Sequence, residues 1–259
     1  MIVRTAVLDL APAARFAGTF APGVPVEPGA VLPPAWEGLY FPFDASLAAL
    51  RADGSPADDG LTPPDAPPRR MYAGEDTEFH HPLRWGDTVE QRSSLTSVTR
   101  KEGRSGSLLF ADITREYLVD GAVAVRSVWH DVFLSGGAPP VPATGETPDG
   151  DWAAALSVDI RQLFRFSAIT FNTHRVHYDR DWALEVERLP GLLVHGPLVR
   201  ILLLDALRAA RPGLAVTHWS IRSHAPVLVD AALCVVGRGR DVELYEGGHL
   251  LARGHYRSS

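Results

Sequence analysis

Lysine is nearly absent from this chain. Lys101 is the only one, so 24 of the 25 basic residues are arginines. The formal net charge is −6, which leaves no basic excess of the kind a nucleic-acid binder needs. Cysteine is equally scarce: Cys234 stands alone and cannot form an intrachain disulfide. No charged-then-apolar leader follows Met1, so a reducing cytoplasm is expected rather than secretion. Long apolar runs are missing as well. The longest, in the 190s and 200s, is interrupted by His195, Arg200 and Asp205 and is too short and too polar to span a membrane. Catalytic signatures are also missing. No G-x-S-x-G elbow supports a serine hydrolase, and no G-x-G-x-x-G or P-loop supports hydride transfer or nucleotide hydrolysis. No H-E-x-x-H or cysteine-rich spacing supports zinc. No cofactor is expected.

What is present is an ordinary globular composition, 46% hydrophobic over 259 residues, enough for one large domain or two of common size. Two stretches rich in proline, glycine and aspartate, about 53–68 and 135–150, carry no apolar period and read as linkers. The second falls near the middle, and divides the chain into modules 1–140 and 151–259.

Between the linkers the pattern is extended. Residues 78–83 lead into a turn at Trp85-Gly86-Asp87. Residues 88–100, 108–119 and 122–134 follow as long strands, with a turn at 103–106 and the hairpin signal Asp120-Gly121 between them. After the second linker, 157–166 reads as extended, 182–188 as a short helix, and 196–211 as the clearest helix of the chain, ended by Pro212-Gly213. Its polar residues Arg200, Asp205, Arg208 and Arg211 share one side, which predicts a narrow wet stripe on an otherwise buried helix. Strands at 215–222, 231–237, 241–245 and 250–256 close the chain. A buried helix followed by an antiparallel meander is what a hot-dog fold needs. In the first half a helix over 35–50, broken at Pro42, would play the same part. The expectation is an α+β double hot-dog fold, two antiparallel sheets side by side, each wrapping a central helix. Trp36, Tyr40 and Phe41 are expected in its core, and Trp85 as a turn residue with a packed ring.

Three histidines, His174, His177 and His195, crowd the approach to the buried helix, and His195-Gly196 opens it. A helix N-terminus offers unpaired N–H groups and the positive end of a dipole, and glycine lets a carbonyl approach closely. Such donors stabilise the enolate-like oxygen formed when water adds beside a thioester, while an imidazole can take and return the proton. Single histidines are usually plain polar residues; this cluster favours function. A metal held by His174, His177 and Asp179 lacks a supporting motif.

The segments FRFSAITFNTHRVHYDRDWA and PGLLVHGPL, preceded by LPPAWEGLYF, PPRRMYAG and EFHHPLRWGDTVEQRSSLTSVTRKEGRSG, resemble the MaoC-like hydratase/dehydratase family. The resemblance runs from the 30s to the end. It is closest to the mesaconyl-CoA and itaconyl-CoA hydratases and the mitochondrial-type 3-hydroxyacyl-thioester dehydratases. It implies reversible hydration of an enoyl-CoA, the substrate being short, branched and dicarboxylic. The family motif D-x-N-P-x-H-x-D, followed by H-G, maps onto His177 as the catalytic histidine, Asp179, His195 and Gly196. The family aspartate is replaced by Asn172, the asparagine by His174 and the proline by Arg175. Asparagine cannot act as a base, so Asn172 is expected to orient water or hydroxyl. Whether His174 or Asp179 shares the proton work stays open. The resemblance makes Arg175 a candidate partner for a substrate carboxylate, with a salt bridge to Asp179 or Asp181 as the equal alternative. Arg69, Arg70, Arg161 and Arg165 could meet CoA phosphates, although the many arginines weaken each assignment. The first module has no matching histidine segment, which implies one active site per chain.

Competing functions are a dehydratase on a carrier-protein thioester, which would want a basic docking patch; a hot-dog thioesterase, which would release free thiol; and a non-catalytic acyl-CoA binder. The oligomer is left open, with a pairing of two chains compatible with the fold.

Overall fold

The computed structural model describes residues 1–103, 106–135 and 145–259. The turn expected at 103–106 and most of the linker expected at 135–150 lie outside the described residues. Among the described residues ten strands form one antiparallel sheet. In chain order they are β1 (Ile2–Val7), β2 (Arg69–Phe79), β3 (Thr88–Gly103), β4 (Gly106–Val119), β5 (Ala122–Leu134), β6 (Trp152–Leu156), β7 (Val216–Ser223), β8 (Leu233–Arg238), β9 (Asp241–Glu246) and β10 (His249–Ser258). The helices are α1 (Leu10–Phe20), α2 (Ile160–Thr170) and α3 (Gly196–Ala210).

The strand order is β1-β3-β4-β5-β2-β7-β10-β9-β8-β6, a palindrome of two five-stranded halves. Each half opens with a strand and a helix capped by an aspartate. Each then forms a four-stranded meander. The halves meet where β2 pairs antiparallel with β7, from Gly74↔Arg222 to Glu78↔His218. Gly74 sits at this seam with φ 151, and a Cβ there would lie 2.1 Å from the Ile221 carbonyl oxygen. The α+β double hot-dog architecture is thus present, its two sheets fused edge to edge.

The long strands 88–134 form where alternation and turn chemistry place them. Asp120 and Gly121 both take positive φ, 49° and 81°, as a tight hairpin requires. Residues 157–166 differ from expectation: they begin α2. Asp159 accepts the Gln162 N–H at 3.0 Å while its own N–H reaches Gln162 Oε1 at 2.8 Å, a reciprocal cap that starts a helix.

The expected first-half helix over 35–50 is also absent. Pro33-Pro34 and Pro42 confine it to a single 3-10 turn, Trp36–Tyr40, with a second at Leu47–Ala49. Aromatic rings fill the space. Trp36 is buried against Phe16 at 4.8 Å and Trp85 at 6.5 Å between centroids. In the second half α3 is a full helix that packs against β2, β8 and β9, with Leu198, Leu203 and Leu207 buried. Its predicted wet stripe holds only at Arg208 and Arg211. Arg200 is 4% exposed, and Asp205 lies under Trp36, whose Nε1–H reaches its carboxylate at 3.3 Å.

Candidate active site

The segment after α2 is shaped before any substrate arrives. Phe171 ends the helix in the left-handed region, φ 51 and ψ 37. Asn172 Oδ1 accepts the His174 N–H at 3.0 Å, so the amide nitrogen of Asn172 faces away from that bond. The His177 N–H then donates to the His174 carbonyl at 3.1 Å, closing the short turn Arg175–His177. A first-half loop clamps this segment. Arg175 N–H donates to Asp53 O at 2.8 Å and Thr173 Oγ1 to Gly54 O at 2.7 Å. Gly54 has φ 83, and a Cβ on it would fall 1.9 Å from Thr173 O, so only glycine fits.

A cavity of about 270 Å³ lies between this segment, the start of α3 and strand β2. Asn172, His174, His177 and Gly196 line it, together with Arg70, Met71 and Tyr72 of the first half. Gly196 is the first residue of α3. Pro197 follows it and carries no N–H, so Gly196 is the first amide the helix end can present. Tyr72 packs on Gly196 so closely that a Cβ would meet its ring at 2.3 Å.

His177 Nδ1 lies 2.9 Å from Leu193 O. A carbonyl only accepts, so Nδ1 carries the proton and Nε2 keeps a lone pair. Among the described residues Nε2 has no protein partner. Burial pushes the His177 pKa down to about 3, with His174 adding to the effect and the Leu193 bond opposing it. Burial also lowers His174, against the pull of Asp53 and Glu187.

His195 does not face the cavity. As the N-cap residue of α3 its backbone is extended, φ −61 and ψ 131, and the ring turns toward α2. There Nε2 meets Ser167 Oγ at 2.9 Å and the ring stacks on His177 at 3.6 Å. Its substrate-contact role is corrected to that of a plate behind His177. Arg175 and Asp179 also lie outside the cavity lining. Arg175 donates from Nε and Nη2 to Asp179 Oδ2 at 2.9 and 2.6 Å, and its guanidinium lies 4.0 Å from the Trp182 ring. Asp179 Oδ1 caps the next turn through Trp182 N at 3.0 Å. The two charges satisfy each other, and neither lines the cavity. His80 and His81 follow β2 and are exposed to solvent. Arg70 does line the cavity, but Asp131 and Asp59 hold it at 2.7 and 3.0 Å.

The residues the sequence left unmarked are Tyr72 and Gly54. An Asp53-Gly54 turn signal was visible; Tyr72 carried none. The register also shows how the two halves differ at this point. The bridges Val31↔Arg84 and Leu193↔Leu228 are equivalent, as are Leu32 N to Leu83 O and Val194 N to Val227 O, both 2.8 Å. His195-Gly196 therefore corresponds to Pro33-Pro34, which has no amide hydrogen to offer.

Residues 35–229 match the family described as hydroxyacyl-thioester dehydratase type 2. The chain belongs to that family. It is 40% identical over 225 residues to a mesaconyl-C(4)-CoA hydratase of Chloroflexus aurantiacus, covering 84% of this chain and 79% of that one. Among solved structures it is similar to HtdX of Mycobacterium tuberculosis, TM-score 0.74 with 19% identity over the whole of both chains. It is also similar to a Mycobacterium tuberculosis protein described as a double hotdog fold, TM-score 0.62 with 14% identity, covering 99% of this chain and 95% of that one. Membership makes this hydroxyacyl-thioester dehydratase relative a hydro-lyase. No helix among the described residues is long and apolar enough to cross a membrane.

Proposed function

We propose that the chain adds water reversibly across the α,β double bond of an enoyl-CoA, with a short branched dicarboxylic acyl group such as mesaconyl or itaconyl as substrate. The observation that carries this reading is the His177 Nδ1–Leu193 O bond of 2.9 Å. It leaves the Nε2 lone pair of His177 unprotonated, in a ring that lines the cavity holding the amide end of α3.

In the proposed mechanism the thioester oxygen accepts the Gly196 N–H. The growing enolate charge meets the positive helix end. A water lies between His177 Nε2 and the Asn172 amide nitrogen. As its oxygen bonds to the β-carbon, one of its protons passes to Nε2, and the imidazolium returns a proton to the α-carbon. An imidazole with a pKa near 3 is a weak base but a strong conjugate acid. Proton uptake by Nε2 is therefore coupled to C–O bond formation, and the imidazolium so formed is a ready proton donor. One histidine covers both transfers, so Asn172 need not act as a base.

In this reading residues 151–259 form the catalytic module and residues 1–140 the module that walls the acyl and CoA pocket. The single thiol Cys234 is unpaired, in keeping with a cytoplasmic setting. The test is a panel of mesaconyl-, itaconyl- and crotonyl-CoA followed by enoyl absorbance, with wild type and His177→Ala. If wild type hydrates none of them and dehydrates no 3-hydroxyacyl counterpart, the reading is wrong.

A further inference from the structure

A second cavity of about 300 Å³ adjoins the first. Phe43, Pro56, Trp129, Asn172 and Pro197 form walls of both. It occupies the place where the first half lacks a full central helix, and its lining departs from what a hot-dog core needs. In the second half, β8 and β9 turn Leu233, Val235, Val242 and Leu244 inward, all buried. The matching strands β3 and β4 turn Gln91, Ser93, Arg115 and Tyr117 into the cavity. They face one another in register, Gln91 opposite Tyr117 and Ser93 opposite Arg115.

Polar groups under cover need partners. Gln91 is 5% exposed and Ser93 3%, yet among the described residues their only side-chain bond is to each other, at 3.4 Å. The charges around the cavity are nearly all committed. Glu75 pairs with Arg200 at 3.5 Å, Asp59 with Arg70 at 3.0 Å, and Asp44 with Arg4 at 3.1 Å. Asp58 is exposed and caps its own turn through Gly60 N at 2.8 Å. Arg115 is the exception. Among the described residues no carboxylate lies within ion-pair distance of it. Its guanidinium rests on the Trp129 ring, 4.3 Å from the centroid. That ring is pinned by its Nε1–H to Asp131 Oδ1 at 2.8 Å. Trp129 meets Tyr72 edge to face at 4.7 Å, and Tyr72 packs on Gly196. A fixed guanidinium thus stands two rings from the amide end of α3.

We infer that the second cavity is a subsite for an anionic acyl terminus, and that Arg115 is the residue that selects a carboxylate there, with the Gln91 amide as a second donor. The inference rests on reading the first cavity as the thioester site. A carboxylate completes the guanidinium with charge-assisted hydrogen bonds. A methyl terminus would leave the guanidinium without a counter-charge and the Gln91 amide without an acceptor, and sites built for a polar group reject analogues that lack it. Arg175, held by Asp179 outside the cavity, cannot take this part.

The test uses saturated thioesters, so that no turnover is required. Dissociation constants for succinyl-CoA, glutaryl-CoA and butyryl-CoA are measured by calorimetry on wild type, Arg115→Met and Arg115→Lys. Wild type is expected to bind at least one carboxylate-ended thioester about tenfold or more tighter than butyryl-CoA, a gap of about 1.4 kcal/mol. Arg115→Met is expected to bring that ratio to about one, and Arg115→Lys to keep part of it. Because the readout is a ratio within one protein, partial loss of active material does not imitate the effect. A wild-type ratio near one, or a ratio preserved in Arg115→Met, overturns the proposal. If Arg115→Met does not fold, the full wild-type ratio retained in Gln91→Leu and Arg115→Lys together overturns it. Failure of enoyl hydration with the carboxylate preference intact would sink the hydratase reading instead.

Discussion

The imidazole of His177 lies nearly flat on that of His195, with ring centroids 3.6 Å apart and planes within 20°, while His174 meets His177 edge to face at 5.6 Å. Three rings this close and this dry cannot share positive charge. Burial lowers the proton affinity of each; His174 lowers His177 further, and His177 and His174 lower His195 further. The cluster is neutral when folded, which leaves the Nε2 lone pair of His177 available at physiological pH.

Stability should therefore fall with acid. The folded pKa values lie below the ordinary 6.5, so the unfolded chain takes up protons first as pH drops. The histidine contribution is fully present above about pH 6.5 and is lost as pH falls toward 3. His130 acts in the opposite sense, raised by its bond to Asp76 and helped by Asp112. Its share is present below pH 6.5 and lost as pH rises. Urea midpoints between pH 8 and 5 (about 1–2 pH units either side of an ordinary histidine) should show a shallower acid slope in His195→Phe than in wild type. Equal slopes would count against the neutral cluster.

The same shift sets the rate profile. The acid limb of kcat/KM should lie well below 6.5, since kcat/KM reports the free enzyme. A limb centred on the ordinary histidine value would contradict it.

His177→Ala should lower kcat about 10²–10⁴-fold, the usual worth of a positioned acid–base group. Far-UV circular dichroism should be unchanged. Full activity in that variant would remove His177 from the chemistry.

Gly196→Ala should destabilise by about 1–3 kcal/mol, the common cost of overpacking, and should lower kcat because the donor amide shifts. The added methyl would meet Tyr72 Cβ at 2.8 Å as well as the ring, so no Tyr72 rotamer relieves it. Denaturant titration beside steady-state kinetics reads both effects.

Arg200 joins the halves under the sheet, with Glu37 at 3.0 Å, Glu75 at 3.5 Å and Thr77 Oγ1 at 2.9 Å. Burial works against its charge, and Glu75 and then Glu37 outweigh that, so its pKa lies above the ordinary arginine value. Arg200→Met would strand two buried carboxylates and should cost about 3–5 kcal/mol. Adding Glu37→Gln and Glu75→Gln should recover most of it. Chemical denaturation of the single and triple variants decides the point.

The meander from Thr88 to Leu134 was legible because its cues are local: alternation along each strand and an Asp120-Gly121 turn. The helix at Gly196 was legible for the same reason. The start of α2 was hidden by the alternating Leu163-Phe164-Arg165-Phe166, which imitates a strand, although the Asp159 and Gln162 spacing held the true signal. Arg200 read as solvent-facing because a charge on a helix normally is. Nothing near it in the chain announces Glu37 and Glu75.

By itself the sequence determined that a histidine-bearing loop runs directly into a buried helix that opens on glycine, since Asn172 to Gly196 is one short stretch of chain. Tertiary structure alone decided which imidazole faces the cavity and which backs it, that Arg175 is consumed by Asp179, and that Arg115 is left uncommitted beside the site. Hydrophobic period and turn chemistry act over a few residues. The partner of a charged or aromatic side chain is chosen by whatever strand or loop folding brings against it, as Glu37 and Glu75 of the first half are brought against Arg200 of the second.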